Sequence, residues 1–560
     1  MNIRTLALLS AISLFRLAAP AAETAPPSES VALNLVRLLV QEGVISQEKA
    51  DGLIQKAEAG ARQAASAAPV SVPAADGTVR VTYVPETVRQ QLREDIRQDV
   101  MRQAREENWA DPREVPAWVK KLRLTGDIRF RYDGSFFPAG NDTTGYPNFN
   151  SINRGSPYNA SPTNTVLPPL NNVDQDRERL RLRARLALDA DLGEGFSAGL
   201  RLATGSDSSP VSTNQSLGSD GFGAKYALWL DRAFVKYDVP GLKEGKLAVT
   251  AGRFENPFFA TDLIWDDDLG FDGIVIQGSR RLGRFNTFAT LGLFPVYNTD
   301  FNFSSRQPEK FKSDDKWLYG AQVGVEIGLA QNLDLKLGAA WYDYTNIAGK
   351  RSRPLYNPND DGDSDTRRPS FAQKGNTYME LRDNAYFTDP ASPWYGQNQQ
   401  YYGLATPFSE LAITARVDYR RFDPLHLRLE LELVKNLDYD EARINAVVPQ
   451  NNLATGGYGR VDGGDLGWLA RLSFGHPVLE QRWDWNAFIG YKYLETDAVL
   501  DAFTDSDFGL GGTNLEGFML GASLGLSKSV TARLRWLSAD HVSGSPYAAD
   551  VLQVDLNAKF

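Results

Sequence analysis

The sequence predicts an all-β protein: a transmembrane up-and-down antiparallel β-barrel of about 16 strands, preceded by a small helical periplasmic segment. Three observations lead to this prediction. From Trp118 to the last residue, apolar and polar side chains alternate with a period of two. The connections between these segments are short and long in turn. After the N-terminus no run of about 18 apolar residues occurs, which excludes membrane-spanning helices.

The first 22 residues have the features of a secretory signal peptide. Arg4 precedes the apolar stretch TLALLSAISLF, and small residues suit cleavage near Ala21 or Ala22. An uncleaved anchor helix is the alternative, but the apolar run is short and Arg16 interrupts it. Export with cleavage of residues 1–22 is therefore predicted.

The next segment is predicted to be helical and periplasmic. Residues 23–66 have a helical period that predicts a helical hairpin, and residues 67–83, rich in Ala, Pro and Val, predict a linker. In residues 84–117, apolar side chains recur at every fourth position from Val84 to Val100. This pattern predicts an amphipathic helix that either associates as a coiled coil or lies on the surface of its own domain.

The barrel is assigned to residues 118–560. In its first strand, LRLTGDIRFRYDG, apolar side chains occupy one parity, whereas Arg, Thr and Asp occupy the other. A soluble sandwich would bury the apolar face in a core, whereas a membrane barrel turns it to lipid and turns the polar face to a lumen. Long connections at alternate positions, and Tyr and Trp near the strand ends, favour the barrel. The strands are predicted near 122–132, 176–190, 196–204, 227–239, 246–254, 272–279, 285–294, 317–328, 333–344, 408–419, 425–436, 465–475, 483–494, 515–526, 530–538 and 550–560.

Composition and motifs narrow the function classes. The chain has no cysteine, which excludes disulfides, thiolate metal sites and cysteine nucleophiles, and its net charge of −10 disfavours nucleic-acid binding. His426, His476 and His541 are isolated and are interpreted as interfacial or turn residues. The acidic run Asn359–Asp365 lacks the pattern of an EF-hand, which favours a solvated loop over a calcium site. No catalytic motif is found, so neither an enzyme activity, a metal site nor another cofactor is predicted.

A ladder of arginines is the strongest candidate for a functional site. In RERLRLRARLALDADL the guanidinium groups lie at alternate positions, roughly 7 Å apart along one strand face. In a water-filled lumen such groups need no salt-bridge partner and would form a positive wall. The predicted pore-lining basic ladder comprises Arg177, Arg179, Arg181, Arg183, Arg185, Arg129 and Arg131.

Several stretches resemble a known family. The last strand, DVLQVDLNAKF, ends on Phe560 and resembles the C-terminal signal that the barrel assembly machinery reads. The stretches Ala251–Ile274 and Tyr491–Gly521 are similar to the putative porin family of Gram-negative bacteria, as is VRLLVQEGVISQEKADGLIQKAE near the N-terminus. The resemblance implies a passive pore in the cell outer membrane, a homotrimer, and a helical N-terminal segment in the periplasm.

In related general porins the third outside loop folds inward and narrows the pore. The third outside connection of this sequence is residues 255–271. An acidic loop opposite a basic wall would set up a transverse field that filters ions by charge. Alternatively, the acids only pair with the arginines or coat the vestibule. The predicted constriction-loop acids are Glu255, Asp262, Asp266, Asp267 and Asp268.

We interpret the sequence as a porin that forms a water-filled channel for passive diffusion of ions and small hydrophilic solutes, because about 16 strands leave an aqueous lumen. It would contact outer-membrane lipid and lipopolysaccharide. An anion- or solute-selective channel that uses the arginine ladder is one alternative. A barrel with a structural role, whose N-terminal helices contact peptidoglycan and tether the envelope, is another.

Overall fold

The structure is a computed structural model of the whole chain. It describes residues 51, 55, 94, 119–143, 146–161, 163–206, 209–299, 302–303, 310–312, 314–447 and 463–560. The chain divides into two units, Met1–Gln103 and Ala104–Phe560, and all strands given below belong to the second. The predicted signal peptide, helical hairpin, linker and amphipathic helix fall outside the described residues, apart from three isolated positions.

Sixteen long strands and the two-residue strand Gln215–Ser216 form one 17-stranded sheet. The long strands are β1 Leu122–Phe136, β2 Arg177–Gly193, β3 Phe196–Ala203, β4 Trp229–Asp238, β5 Gly245–Phe254, β6 Phe271–Leu282, β7 Phe285–Tyr297, β8 Lys316–Ala330, β9 Leu333–Thr345, β10 Ser409–Phe422, β11 Leu425–Asn436, β12 Leu466–Gly475, β13 Trp485–Leu494, β14 Leu515–Gly525, β15 Val530–His541 and β16 Ala548–Lys559. Each pairs antiparallel with the next along the chain, so the predicted up-and-down arrangement is confirmed.

Pairing between the first and last strands closes the barrel. Residues 127–136 of β1 pair with residues 559–550 of β16. Beyond this ladder the Gly126 amide donates to the Phe560 carbonyl at 2.9 Å, and the Phe560 amide donates to the Gly126 carbonyl at 3.0 Å. Closure satisfies the backbone hydrogen bonds of both strands, which a sheet with open edges could not do in lipid.

The two parities of each strand face opposite sides of the wall. On β1, Leu124 is 62% exposed, whereas Arg131 is 1% exposed. The same division holds on β2, where Leu180 and Leu186 are exposed and the alternating arginines turn inward. The apolar parity thus faces lipid and the charged parity faces the lumen, as the period of two predicts.

Connections at one end of the barrel are turns, and most at the other end are long loops. The loops are L1 (137–176), L2 (204–228), L3 (255–270), L4 (298–315), L5 (346–408), L6 (437–465), L7 (495–514) and L8 (542–547). L8 is shorter than the turn 476–484 at the opposite end, so the expected strict alternation is wrong there. The reason is that β15 and β16 extend further than their sequence pattern indicates.

The loops contain short elements. The helices are α1 Phe149–Arg154, α2 Ala385–Thr388 and α3 Glu441–Ala446, with 3-10 turns at Val119–Lys121, Asp365–Arg367, Asp501–Phe503 and Phe508–Leu510. Short strands pair Tyr146–Pro147 with Leu170–Asn171, Tyr158–Asn159 with Gln399–Gln400, Asn302–Phe303 with Lys310–Phe311, and Tyr378–Glu380 with Tyr402–Leu404. A search of the described residues for a helix of sufficient length and apolar character to span a membrane finds none.

A hydrophobic core lies inside the barrel wall. Trp265 of L3, Tyr378 of L5 and Phe508 of L7 are each at most 2% exposed, and they belong to one cluster with Tyr342 on the inner face of β9. Edge-to-face contacts between aromatic rings stabilise this cluster. In one of them the ring centroids of Trp265 and Tyr342 lie 5.2 Å apart. The loops therefore fill part of the lumen with packed side chains.

Barrel closure depends on the small size of Gly126. A Cβ atom there would lie 2.5 Å from the Phe560 ring and 2.8 Å from the carbonyl oxygen of Arg185. We expect Gly126→Val to lower the free energy of unfolding by about 1–3 kcal/mol, the usual cost of overpacking. Urea unfolding followed by the mobility of unheated protein in SDS gels measures this. The control is Gly278→Val on β6, where the nearest atom would be 3.8 Å away. Equal losses in the two variants would contradict the account.

Candidate functional site

L3 crosses the interior of the barrel and binds to the wall on the far side. The Phe259 amide donates to Gln322 of β8 at 2.8 Å, and the Thr261 amide donates to Glu432 of β11 at 3.0 Å. The Asp262 carboxylate is ion-paired with Arg471 of β12. Since L3 starts from β5, these bonds bring it nearly halfway round the barrel.

L7 folds into the same space and joins L3. The Asp266 amide donates to the Phe503 carbonyl at 2.8 Å, and the Ser506 amide donates to the Asp266 carboxylate at 2.9 Å. Asp507 of L7 accepts a hydrogen bond from Arg131 of β1 at 3.2 Å. L7 is not among the candidate site residues that the sequence predicts. Its segment FTDSDFGLGG has the Asp, Gly and aromatic composition of WDDDLG in L3 and of FDG at the start of β6, which is the signal that could have found it.

L5 holds L7 in place. The buried Lys374 ammonium donates to the carbonyls of Gly509 and Gly511 at 2.6 and 2.7 Å, and the Tyr378 hydroxyl donates to Asp501 at 2.9 Å. Burial lowers the pKa of Lys374 to about 7 and raises the pKa of Asp501 to about 7. Burial of a charged group costs free energy unless the group is hydrogen-bonded. Lys374 and Asp501 both have hydrogen-bond partners in the other loop, so L5 and L7 form one packed unit.

Between the loops and the wall lies a central cavity of about 930 Å³. The basic and acidic side chains of its lining lie mostly on different structural elements. Its ten arginine and lysine side chains all lie on strands: Arg129, Arg131, Arg183, Arg185, Arg416, Arg428, Arg471, Arg533, Arg535 and Lys559. Of nine acidic side chains, seven lie on L3 and L7: Glu255, Asp262, Asp266, Asp267, Asp268, Asp505 and Asp507.

Four of the seven predicted ladder arginines line the central cavity, and three do not. Arg177, Arg179 and Arg181 lie towards the L1 end of β2, outside the cavity lining. The ladder side chains also have partners, such as Asp133, which lies 2.6 Å from Arg179 and 3.5 Å from Arg181. The basic wall is therefore not a row of unpaired guanidinium groups. Further pairs are Arg131–Asp555 at 2.6 Å, Arg183–Asp127 at 3.0 Å and Arg185–Asp127 at 2.7 Å.

All five predicted loop acids line the central cavity. They differ in their ion-pair partners and in their exposure. Asp268 lies 3.5 Å from Arg183 and 3.7 Å from Arg185, so it connects L3 to the basic wall. Glu255 pairs with Arg201 of β3 at 2.6 Å, whereas Asp267 is exposed to the lumen. The alternative of simple pairing thus describes part of the set but neither Asp267 nor Asp266, whose carboxylate accepts a hydrogen bond from the Ser506 amide.

Residues 29–560 match the model of the family described as "Putative porin". This chain belongs to the putative porin family. This porin therefore forms a water-filled channel for passive diffusion of ions and small hydrophilic solutes in the outer membrane, and its class is that of a channel. A search of curated protein sequences gives no match.

Solved structures similar to the porin include proteins of three bacteria. The outer membrane channel DcaP of Acinetobacter baumannii is 10% identical over 78% of this chain and 97% of that chain, with a TM-score of 0.36. OprB of Pseudomonas putida is 11% identical over 79% and 95%, with a TM-score of 0.41. An anion-selective porin from Comamonas acidovorans is 13% identical over 78% and 99%, with a TM-score of 0.36.

A second cavity of about 730 Å³ lies on the loop side of the porin and is here called the outer vestibule. L1, L2 and L5 contribute to it, with Arg154, Ser206 and Arg368 among the lining residues. Asp268 lines both the outer vestibule and the central cavity. Thr213 of L2 binds the Asp268 carboxylate through its amide at 3.1 Å and its hydroxyl at 2.9 Å. Asp268 therefore stands at the boundary between the two cavities.

The remaining candidates have structural partners. His426 contacts Asp418 at 2.8 Å, His476 lies in the turn before β13, and the ring of His541 lies 4.7 Å from that of Tyr547. In the acidic run, Asp365 is buried in an ion pair with Arg382, so the expected solvated loop is wrong at that position. Within the described ranges, no group of three or more His, Cys, Asp or Glu side chains could hold a metal ion.

Glu432 is the anchor of L3 on the far wall. It accepts hydrogen bonds from the amide and hydroxyl of Thr261 and from Thr414 at 2.7 Å. We expect Glu432→Ala to make chymotrypsin cleavage within L3 about tenfold faster, because two bonds to the loop contribute about 0.5–1.5 kcal/mol each. Mass spectrometry of timed digests measures the rate.

The control for the L3 anchor is Glu326→Ala, near the turn end of β8 on the same lumenal face. Cleavage of L3 should remain at the wild-type rate in this variant. If Glu432→Ala also leaves the rate unchanged, Glu432 does not anchor the loop.

Proposed function

We propose that this porin filters ions by charge where the acidic loops L3 and L7 narrow the lumen against a basic wall. The observation that carries the proposal is the segregation of charge in the central cavity, with every arginine and lysine on a strand and most acidic side chains on L3 and L7. Opposite charges on two sides of a narrow aqueous passage produce a transverse field. Such a field orients dipolar solutes and acts on both cations and anions.

The size of the ion preference follows from the balance of charge. Ten basic and nine acidic side chains line the central cavity, so its formal charge is close to zero. We therefore propose weak selectivity, with anions and cations both conducted. A strongly anion-selective channel would need an excess of basic side chains that this lining does not have.

We also propose that the porin is an exported homotrimer with a periplasmic N-terminal segment. Membership of the putative porin family and the exposed apolar outer face support this assembly. Lipid and lipopolysaccharide would cover the rest of that face, and Phe560 would serve the barrel assembly machinery. The N-terminal helices would reach peptidoglycan without taking part in conduction.

Planar-bilayer recording of the purified, refolded porin tests these proposals together. Current steps in multiples of three would support the trimer. The reversal potential across a KCl gradient measures the ion preference, which should be small. A folded barrel that stays silent would contradict an open constriction.

Removing the basic wall beside Asp268 should favour cations. In the double variant Arg183→Ser, Arg185→Ser, the carboxylates of Asp127 and Asp268 lose their ion-pair partners, so acidic side chains outnumber arginines and lysines in the cavity lining. We expect the reversal potential to shift towards the K⁺ equilibrium potential. The matched control is the double variant Arg280→Ser, Arg281→Ser, outside the cavity lining at the turn end of β6. An equal shift in the control would contradict a local effect of the wall.

Removing one loop acid should shift the reversal potential in the opposite direction. Asp267 is exposed to the lumen and lines the central cavity, so Asp267→Asn removes negative charge with little effect on packing. We expect the reversal potential to move towards the Cl⁻ equilibrium potential. Asp220→Asn, on the exposed part of L2 outside the cavity lining, is the control and should leave the potential unchanged. An unchanged potential in Asp267→Asn would show that L3 does not act on permeating ions.

A further inference from the structure

A small apolar cavity opens beside the outer vestibule and is here called the side pocket. Its volume is about 170 Å³, and it shares Arg253, Tyr297 and Phe371 with the lining of the vestibule. L3, L5 and L7 meet around it. The side pocket therefore adjoins the outer vestibule.

Aromatic side chains dominate the side pocket. Phe271 of β6, Phe294 of β7, Phe371 of L5 and Phe503 of L7 line it together with Trp265. Apolar cavities of about 150 Å³ accept a molecule of the size of benzene. The side pocket therefore has the size and chemistry for one six-membered ring.

A buried cation lies in the wall of the same pocket. Lys316 is 2% exposed, and its ammonium donates to the carbonyls of Thr366 at 2.9 Å and Arg368 at 2.7 Å. The ammonium also lies 5.0 Å from the centroid of the Tyr297 ring. In the described part of the chain Lys316 has no carboxylate within ion-pair distance. Because a buried charge is costly without a counter-charge, this ammonium favours an anionic ligand.

The acids of the side pocket are already engaged. Asp272 pairs with Arg253 at 2.7 Å, and Asp501 accepts the hydrogen bond of Tyr378 at 2.9 Å. Neither is paired with Lys316. The arrangement therefore combines a ring-sized apolar space with one cation that lacks a carboxylate partner.

We propose that the side pocket binds small aromatic monocarboxylates of the size of benzoate, with the ring among the phenylalanines and the carboxylate on the Lys316 ammonium. This inference rests on the proposed function, because the outer vestibule leads to the constriction at Asp268. Binding there would concentrate aromatic acids at the entrance of the channel.

Binding by the full-length porin in detergent tests the proposal, with isothermal titration of three probes. Benzoate carries both the ring and the charge, acetate carries only the charge, and benzyl alcohol carries only the ring. We expect benzoate to bind at least about tenfold more tightly than either of the others, which corresponds to 1.4 kcal/mol. Benzoate that binds no more tightly than acetate would overturn the proposal.

Two variants separate the ring from the charge. Lys316→Met should reduce benzoate affinity about tenfold while benzyl alcohol binds as before. Ala502→Phe fills the pocket from L7 and should abolish binding of both ring compounds. The control is Lys336→Met, which removes a lysine that lines a different cavity on β9. Wild-type affinity for benzoate in both Lys316→Met and Ala502→Phe would overturn the proposal.

Mobility of the unheated variants in SDS gels reports whether each barrel is folded. If Lys316→Met does not fold, benzoate binding by Ala502→Phe decides whether the side-pocket proposal holds. Reversal potentials in KCl keep the two proposals apart. If benzoate binds but the loop acids do not affect the ion preference, the proposed side pocket is supported and the proposed constriction is overturned. If the loop acids affect the ion preference but benzoate does not bind, the proposed constriction is supported and the proposed side pocket is overturned.

Discussion

Closure of the sheet is the constraint on which the rest of this porin depends. A strand in lipid must pair its backbone groups on both sides, because no water replaces a missing partner. The chain meets this requirement by joining β1 to β16, with Phe560 bound to the backbone of Gly126. Once the wall is closed, every second residue of each strand faces inward, and the remaining question is what fills that interior.

The interior is divided between packed loops and charged passages. L3, L5 and L7 bury aromatic side chains against inward-facing residues of the wall such as Phe271 of β6 and Tyr342 of β9, so this part of the lumen resembles the core of a soluble domain. Elsewhere the lining is charged. Arg131 illustrates how such groups are accommodated, because Asp555 and Asp507 both lie within ion-pair distance of it. Burial of a charge in this way requires a close partner, and the loops supply several.

Charge and packing are therefore linked in the same loops. L3 presents acids to the basic wall and also contributes Trp265 to the apolar core, so the position of its carboxylates is set by aromatic packing. L7 behaves alike, with Asp507 on the wall side and Phe508 in the core. A rigid support of this kind keeps the cavity lining in one arrangement, which a charge filter needs.

The sequence by itself determined the wall. Period-two alternation, as in Leu122 to Gly134, is a local property that reports which side of a strand meets lipid, so strand number and topology could be predicted. The position of L3 followed from counting connections. The strand ends of β15 and β16 could not be predicted in this way, because the alternation of apolar and polar side chains does not mark where a strand ends near a loop.

Only the tertiary structure decided what the inward-facing residues do. Asp266 and Ser506 are 240 positions apart in the chain, and Arg131 and Asp555 are 424 apart, so no local pattern connects them. The ladder arginines could be identified as inward-facing, but their partners, the entry of L7 into the lumen and the side pocket at Lys316 could not. These features arise from the packing of loops that the alternation rule does not describe, because loop side chains are positioned by contacts rather than by strand geometry.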